Sequence, residues 1–493
     1  MPAARRQARN SSTEVCSRVT SSFGGLNTAY TGLVAARQGL TVVGDNISNS
    51  TTVGYSRQEV TTSSLTPASE SGFVNPLQVG DGVSVNAVTR VTSALADAQV
   101  RSSSAADGYA QETATQLTTI EAALNEPGNN GLSTSLQKFW SAWQNVSTTS
   151  NSASAATSVI AAGQQVASQL AAGYTAAANQ WSAVRGSVDT TVAQINSDAT
   201  QIAALNGQIR TIVAAGGDAN GLLDQVSTLA NKLSSLSGAT VRSNGNGTTD
   251  ILLGGNALVS GTTVNSIAAT GATSLDGAAA TPVTIGFVNN PTATATISGG
   301  TLGADLAILA PANGSGTGGA IAQAAQSYND LAATLATSVN SVMQTGATAS
   351  GATGLQFFSI TDPTHAATSL TVVPTDSTGI AAATPGAGAS NGDVASTIAA
   401  LTSSTTGTDA QWESFVVRIG QTTSGASSQA AITASGLSTA TAAQSSVSAV
   451  STDQETTNML SYQNAFSAAA RVMTAVDTML NTLINKTGLV GIN

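Results

Sequence analysis

Histidine and cysteine occur once each in this 493-residue chain, and lysine and arginine together only 16 times. Each scarcity removes a class of function. The single cysteine, Cys16, rules out an intramolecular disulfide and a cysteine-built metal site. Any histidine-dependent catalysis would have to pass through His365. It lies in "TDPTHAATS", where neighbouring hydroxyls carry little information in a chain so rich in serine and threonine, and it reads as a surface or turn residue. With 26 acidic residues and a net charge of -10, the chain has no basic cluster past its first ten residues to face a phosphate backbone, so nucleic acid is not expected as a partner. No run of 18 apolar residues exists to span a membrane, and none is expected to insert in one. The glycine-rich "GGNALVSG" lacks the Lys-Ser/Thr of a phosphate loop, and the carboxylates are scattered. No catalytic, cofactor or metal residue is therefore assigned, and no enzyme is expected.

The first residues, "MPAARRQARNSSTEVCSRVTSS", are basic but contain no apolar core of the kind a cleaved secretory signal needs. Residues 1–20 are expected to be a disordered arm or an over-extended reading frame, with Val19 a possible non-standard start. Such a protein either stays inside the cell or leaves by a route that reads no such signal.

What the chain does have is alanine, serine, threonine and glycine: only 9% of residues are charged and 4% aromatic, so contacts must be built from small apolar groups, hydroxyls and amides. Its length suffices for two or three domains. A seven-residue rhythm begins at Leu26 and continues through Leu33, Leu40 and Ile47, with Ala29, Ala36 and Val43 three residues after each of the first three. This is an a/d seam along roughly 33 Å of helix. The other end repeats the pattern: Met459, Phe466, Met473 and Leu480 share one register, and Tyr462, Ala469, Val476 and Leu483 follow each by three. Ser451 and Thr452 precede Gln454 and Glu455 at capping-box spacing, marking a helix start, and Gly488 is expected to end it.

Between the seams, residues 84–125, 131–185 and 186–215 read as helical, and Val188, Ile195, Ile202 and Ile209 again step by seven, a stripe expected to be a core within the subunit. A break at "AAGGDANG" precedes a helix from Leu222 to Leu236. From 240 to 300, β-branched runs such as "PVTIGFV" alternate with glycine-rich turns, which predicts a small β-rich insertion. Helical pattern returns at 318–343, and 344–410 reads as loops with one short strand at "SLTVV". The expected fold is mainly α with a β-rich insertion. Terminal N- and C-helices (21–70 and 426–493) would pair as a coiled coil, around a helical rod-like or bundle domain with loops (71–240 and 300–425), itself holding the β domain (241–299).

The segment "TVVGDNISNSTTVGYSRQ" runs a helix into uncharged hydrogen-bonding residues, then Gly54-Tyr55 and Arg57. With the helix before it, it resembles the N-terminal segment of flagellar axial proteins of the rod, hook and hook–filament junction, at Asn46, Ile47, Asn49, Gly54, Tyr55 and Arg57. Three further segments occur in the same order as in the first hook-associated proteins, those of the hook–filament junction: "INSDATQIAALNGQIRTIVAAGGDANGLLDQVSTLANKLS", "GGTLGADLAIL" and "SVSAVSTDQETTNMLSYQNAFSAAARVMTAVDTMLNTLINKTG".

That resemblance implies a structural protein of the bacterial flagellum, exported through the flagellum's own secretion apparatus and needing no cofactor. It implies termini that are disordered in the free subunit and pair on assembly into a ring or tube layer. It also implies contacts with hook protein and the next junction protein, and an export chaperone on the C-terminal helix. The expected assembly residues are Leu26, Leu33, Leu40, Asn46, Ile47, Asn49, Gly54, Tyr55, Arg57, Met459, Tyr462, Phe466, Met473, Val476, Leu480 and Leu483. Asn46, Ser48 and Asn49 are expected to bond neighbouring subunits, since amides lose less than ions when a packed wall excludes water. Two alternatives stand: another axial protein of hook or rod type, or a surface adhesin or enzyme built on the β insertion.

Overall fold

The structure, a computed structural model, describes residues 22–65, 80–313 and 315–486. The expectations for the arm at 1–20, the Val19 start, Cys16 and the stop at Gly488 lie outside them. In chain order the elements are α1 (Ser22–Ser48), β1 (Gln58–Ser64), β2 (Val83–Arg90), α2 (Ala94–Leu124), α3 (Leu132–Thr148), α4 (Ala153–Ala214) and α5 (Asn220–Ser237). Seven short strands follow, β3 (Thr240–Ser243), β4 (Thr249–Leu253), β5 (Asn256–Ser260), β6 (Thr263–Val264), β7 (Ile267–Thr270), β8 (Thr284–Phe287) and β9 (Asn290–Thr294). Then come α6 (Gly300–Ile308), α7 (Ala320–Met343), β10 (Phe358–Ile360), α8 (Ala366–Ser369), β11 (Leu370–Val372), α9 (Asp393–Ala399), α10 (Thr408–Ser448) and α11 (Thr452–Lys486). The chain divides into two compact units, one made from its two ends, up to Ser93 and from Ser445, and one comprising Ala94–Gln444.

In the unit of the two ends, α1 packs on α11, and an antiparallel hairpin of β1 and β2 lies against α1. The strands correct the sequence reading, which began a helix at 84. Val83, Val85, Val88 and Thr89 are β-branched residues that favour a pleated, half-buried surface, and so short a run left the period ambiguous.

The Ala94–Gln444 unit is organised around α4, a helix of 62 residues or roughly 93 Å. The reading of 131–185 as one helix is corrected at 149–152, where Ser152 restarts the chain and its Oγ accepts a hydrogen bond from the Ala155 N–H at 3.4 Å. Along α4 the expected stripe is core: Val188, Ile195, Ile202 and Ile209 are fully buried, with Val192 and Ala199 beside them. The few aromatic residues are concentrated rather than spread, with Phe139 within 6.3 Å ring to ring of Trp140, Trp143, Phe357 and Phe358. The insertion folds as two antiparallel sheets, ordered β3-β4-β5-β6 and β7-β8-β9.

Segment 344–410, expected as loops with a strand at "SLTVV", does place β11 there, paired with β10, but also contains α8 and α9. From the sequence the long α10 is not expected as one helix: residues 408–425 fall in the helical domain with loops and 426–448 in the C-terminal helix. Its alanine, serine and threonine show almost no apolar period, and Trp412, Phe415 and Ile419 near its start supply most of its buried apolar contact.

Candidate assembly surface

Neither α1 nor α11 has an internal proline; α11 is rich in good helix formers, whereas glycine-rich α1 depends on packing, and the two meet because each carries one apolar stripe. They run antiparallel: Gly39 faces the ring of Tyr462, while Val42 and Val43 lie at one small cavity with Glu455 and Asn458, one to two turns earlier in α11. A Cβ on Gly39 would run into the Tyr462 ring carbons, so a side chain there would have to displace the ring. Burial and the nearby charges of Glu59 and Glu455 raise the Tyr462 pKa.

The sequence-predicted seam residues occupy this contact unequally. Ala29, Ala36 and Val43 are buried, whereas Leu26, Leu33, Leu40 and Ile47 are half-buried flanks. On α11, Met459, Tyr462, Phe466, Met473, Val476 and Leu480 are half-buried. Leu483 departs from the expectation, being 52% exposed. The reason is length: from Tyr462 to Leu483 is roughly 32 Å of helix, and from Gly39 back to Ser22 only roughly 26 Å, so α11 outruns the described part of α1. In the structure the two ends pair within one chain.

The motif after α1 has a geometry that the sequence did not disclose. Asn46 is buried, and its side chain clasps one backbone residue: Nδ2 donates to the Gln58 carbonyl and Oδ1 accepts from the Gln58 N–H, both at 2.9 Å. The Tyr55 hydroxyl donates to the same Oδ1 at 2.9 Å. Asn49 Nδ2 donates to the Asp45 carbonyl and the Ser48 hydroxyl to the Gly44 carbonyl. These groups have partners inside the chain, and Asn46 fixes where the helix hands over to β1. Gly54 takes φ 82°, the left-handed turn that brings Tyr55 back over Asn46.

Arg57 then secures the other end. Its N–H donates to the Ser448 carbonyl at 2.8 Å, its carbonyl accepts from Val91, and its guanidinium lies 3.8 Å from both Glu59 and the buried Glu455. Asp453 and Glu455 stand in the first turn of α11, as its macrodipole favours, and the Gln454 N–H reaches the Ser451 Oγ at 3.5 Å, the helix start that the capping spacing predicted. Gly39, Gln58 and Glu455 were not among the expected site residues. Gly39 carries no signal in an apolar period, and Gln58 acts through its backbone, which no sequence pattern marks.

Outside the contact, several large apolar side chains of this unit face solvent: Tyr30, Leu460, Val472, Met479 and Ile484 are all exposed, as is Val53 in the turn. Val472, Met479 and Leu483 lie on one flank of α11, since i, i+7 and i+11 share a helical face.

His365 sits between two carboxylates. Its Nδ1 is 2.8 Å from Asp362 and its Nε2 3.2 Å from Asp276, and these hydrogen bonds raise its pKa. Tyr174 packs edge-on against the ring and donates to Asp276. Among the described residues, no group of three histidine, cysteine or carboxylate side chains could hold a metal ion. No described helix is long and apolar enough to cross a membrane.

Residues 117–358 match the family described as Flagellar hook-associated protein FlgK helical domain, and residues 444–486 match Flagellar basal body rod FlgEFG protein C-terminal. The chain is 29% identical over 517 aligned positions to "Flagellar hook-associated protein 1" of Bacillus subtilis, covering 96% of this chain and 100% of that protein. It is 31% identical to the protein of the same description from Salmonella typhimurium, over 50% of this chain and 44% of the relative. Among solved structures it is similar in fold to "the flagellar hook junction protein FlgK from Burkholderia pseudomallei", with a TM-score of 0.59 at 17% identity, over 71% of this chain and all of the other. The second family match falls on α11 and the end of α10, and the first on the α4 spine and the inserted sheets.

Proposed function

The chain belongs to the family of flagellar hook-associated protein 1, structural proteins of the bacterial flagellum at the hook–filament junction, and from that premise we propose that its α1–α11 unit is the part that packs against neighbouring copies in the axial tube. The observation that carries this is the apolar flank of α11. Val472, Met479 and Leu483 remain exposed although the seam beside them is filled, and burying each against a neighbour would be worth about 1.5–3 kcal/mol. The expected assembly residues divide accordingly. Leu26, Leu33, Leu40, Asn46, Ile47, Asn49, Gly54, Tyr55, Arg57, Met459, Tyr462, Phe466, Met473, Val476 and Leu480 shape the unit, and Leu483 with its exposed neighbours makes the intersubunit contact.

In this reading the protein forms a ring or tube layer, with hook protein on one side and the next junction protein on the other. A flagellar export chaperone covers the apolar flank of α11 before assembly, and the chain leaves through the flagellar secretion system without a cleaved signal. It performs no turnover, holds no cofactor, and contacts neither nucleic acid nor membrane. The test is the double variant Met479→Asp with Leu483→Asp, expressed in cells lacking the native protein. Both positions are exposed, so the circular dichroism of the purified chain should be unchanged while filaments fail to attach to hooks. Normal filament attachment by the folded double variant would refute this placement of the contact.

A further inference from the structure

A groove of about 570 Å³ in the Ala94–Gln444 unit plays no part in the reading above. It lies between α2, the corner where α5 turns into β3, and α10. Gly238 and Gly299 line it and pack on each other: Gly238, at φ 68°, sits so close to Gly299 that a Cβ on Gly238 would lie 3.2 Å from the Gly299 Cα. Ala98 and Ala105 of α2 add only methyl groups.

Two independent features of this groove ask for the same ligand. The first is charge. Arg101 lines it half-buried, and among the described residues its guanidinium has no hydrogen bond and no carboxylate within 4 Å. The nearest acidic group, Asp97, already accepts a hydrogen bond from Gln444 at 2.7 Å. A guanidinium carries five donors in a planar fork, and burying it partly without an anion is costly unless one arrives. The second is backbone. β3 is the edge of the four-stranded sheet, paired only with β4, and its residues Thr240 and Val241 line the same groove. An exposed strand edge presents alternate N–H and C=O groups outward, and a passing extended chain can pair with them. A helix could answer the cation but not the edge.

We propose that this groove binds an extended peptide segment carrying an aspartate or glutamate, added as a strand to β3 with its carboxylate on Arg101. The open edge of β3 takes the added backbone, and the fork of Arg101 selects the acidic residue. The groove shares no residue with the α1–α11 contact, so its failure would leave the junction reading intact.

The full-length chain, immobilised, is offered fluorescent pools of degenerate pentapeptides with a central glutamate, with a central glutamine, or with the glutamate and alternate backbone nitrogens methylated. Retention of the glutamate pool about tenfold above the glutamine pool is expected, the scale of one charge-assisted bidentate pair. Arg101→Gln should level the two pools with the circular dichroism unchanged, and Arg101→Lys should recover part of the difference. The methylated pool should not be retained, because it cannot pair with a strand edge. Equal retention of the glutamate and glutamine pools, or no retention of either, overturns the acidic seat. Retention of the methylated pool overturns strand addition.

Discussion

Asn46 shows how much one amide can decide. It satisfies both polar groups of the Gln58 backbone and the Tyr55 hydroxyl from a buried position, so truncation removes three hydrogen bonds at once. Asn46→Ala is expected to destabilise the terminal unit by about 2–4 kcal/mol, and the Gln58 amide should exchange with deuterium far faster, as read by mass spectrometry of peptides spanning β1. Unchanged protection at Gln58 would mean the clasp is not what holds β1 to the helix. Asp305 is the second residue where environment decides. Burial first, and then the charge of Glu112, push its pKa up to about 8. A raised carboxyl pKa contributes stability that is complete below its unfolded value near 3.8 and is lost as pH rises through about 8. The Ala94–Gln444 unit should therefore weaken between pH 4 and 8 by at most about 1.4 kcal/mol per pH unit from this group. Asp305→Asn, which keeps the shape of the neutral acid, should flatten that slope in denaturant titrations at several pH values. At this scale the sequence disclosed the motif but not its action. Asn46, Gly54 and Tyr55 stood out as a turn after a helix, yet that they close on Gln58 follows only from the fold.

Between elements, the same amide device recurs where helices meet irregular chain. Asn196 on α4 clasps the backbone of Ile267, Asn206 holds both backbone groups of Thr249, and Asn340 on α7 donates to the Phe358 carbonyl and accepts from the Phe357 and Phe358 N–H groups. A chain with few charges and few aromatics thus rivets strands to helices with uncharged groups that remain satisfied when buried. Two heptad seams and the α4 stripe were legible in advance, because a stripe buried on one side repeats on the helical period. β2 and α10 were not, the first being too short for a period and the second too uniformly small. The α1–α11 contact also hinged on an unmarked residue, Gly39. Gly39→Val would drive its side chain into the Tyr462 ring and part the helices, with an expected cost of about 1–3 kcal/mol. Tyr462→Ala in the same chain should relieve part of that cost. A double variant no more stable than Gly39→Val alone, in thermal melts followed by circular dichroism, would show that the two side chains are not in contact.

At the scale of the molecule, the order of the chain is nested. The first and last helices make one unit, and the continuous stretch between them makes another with its own core around Trp143, Trp181 and Leu170. An unbroken core in an unbroken stretch of sequence has what it needs to fold by itself. The fragment Ala94–Gln444 is therefore expected to unfold in a single cooperative transition, and removal of α11 from the full chain should leave that transition within a few degrees of its original midpoint while abolishing filament attachment. The contrast separates two kinds of apolar residue that the sequence displays alike: the Val188–Ile209 stripe, spent inside one chain, and the flank at Val472, Met479 and Leu483, left exposed. Both step through their helix at near-heptad spacing, and only the partner each finds distinguishes them. If removal of α11 also melted the Ala94–Gln444 unit, the ends would be part of its core rather than a separate assembly device, and the flank of α11 would lose its standing as the surface through which copies meet.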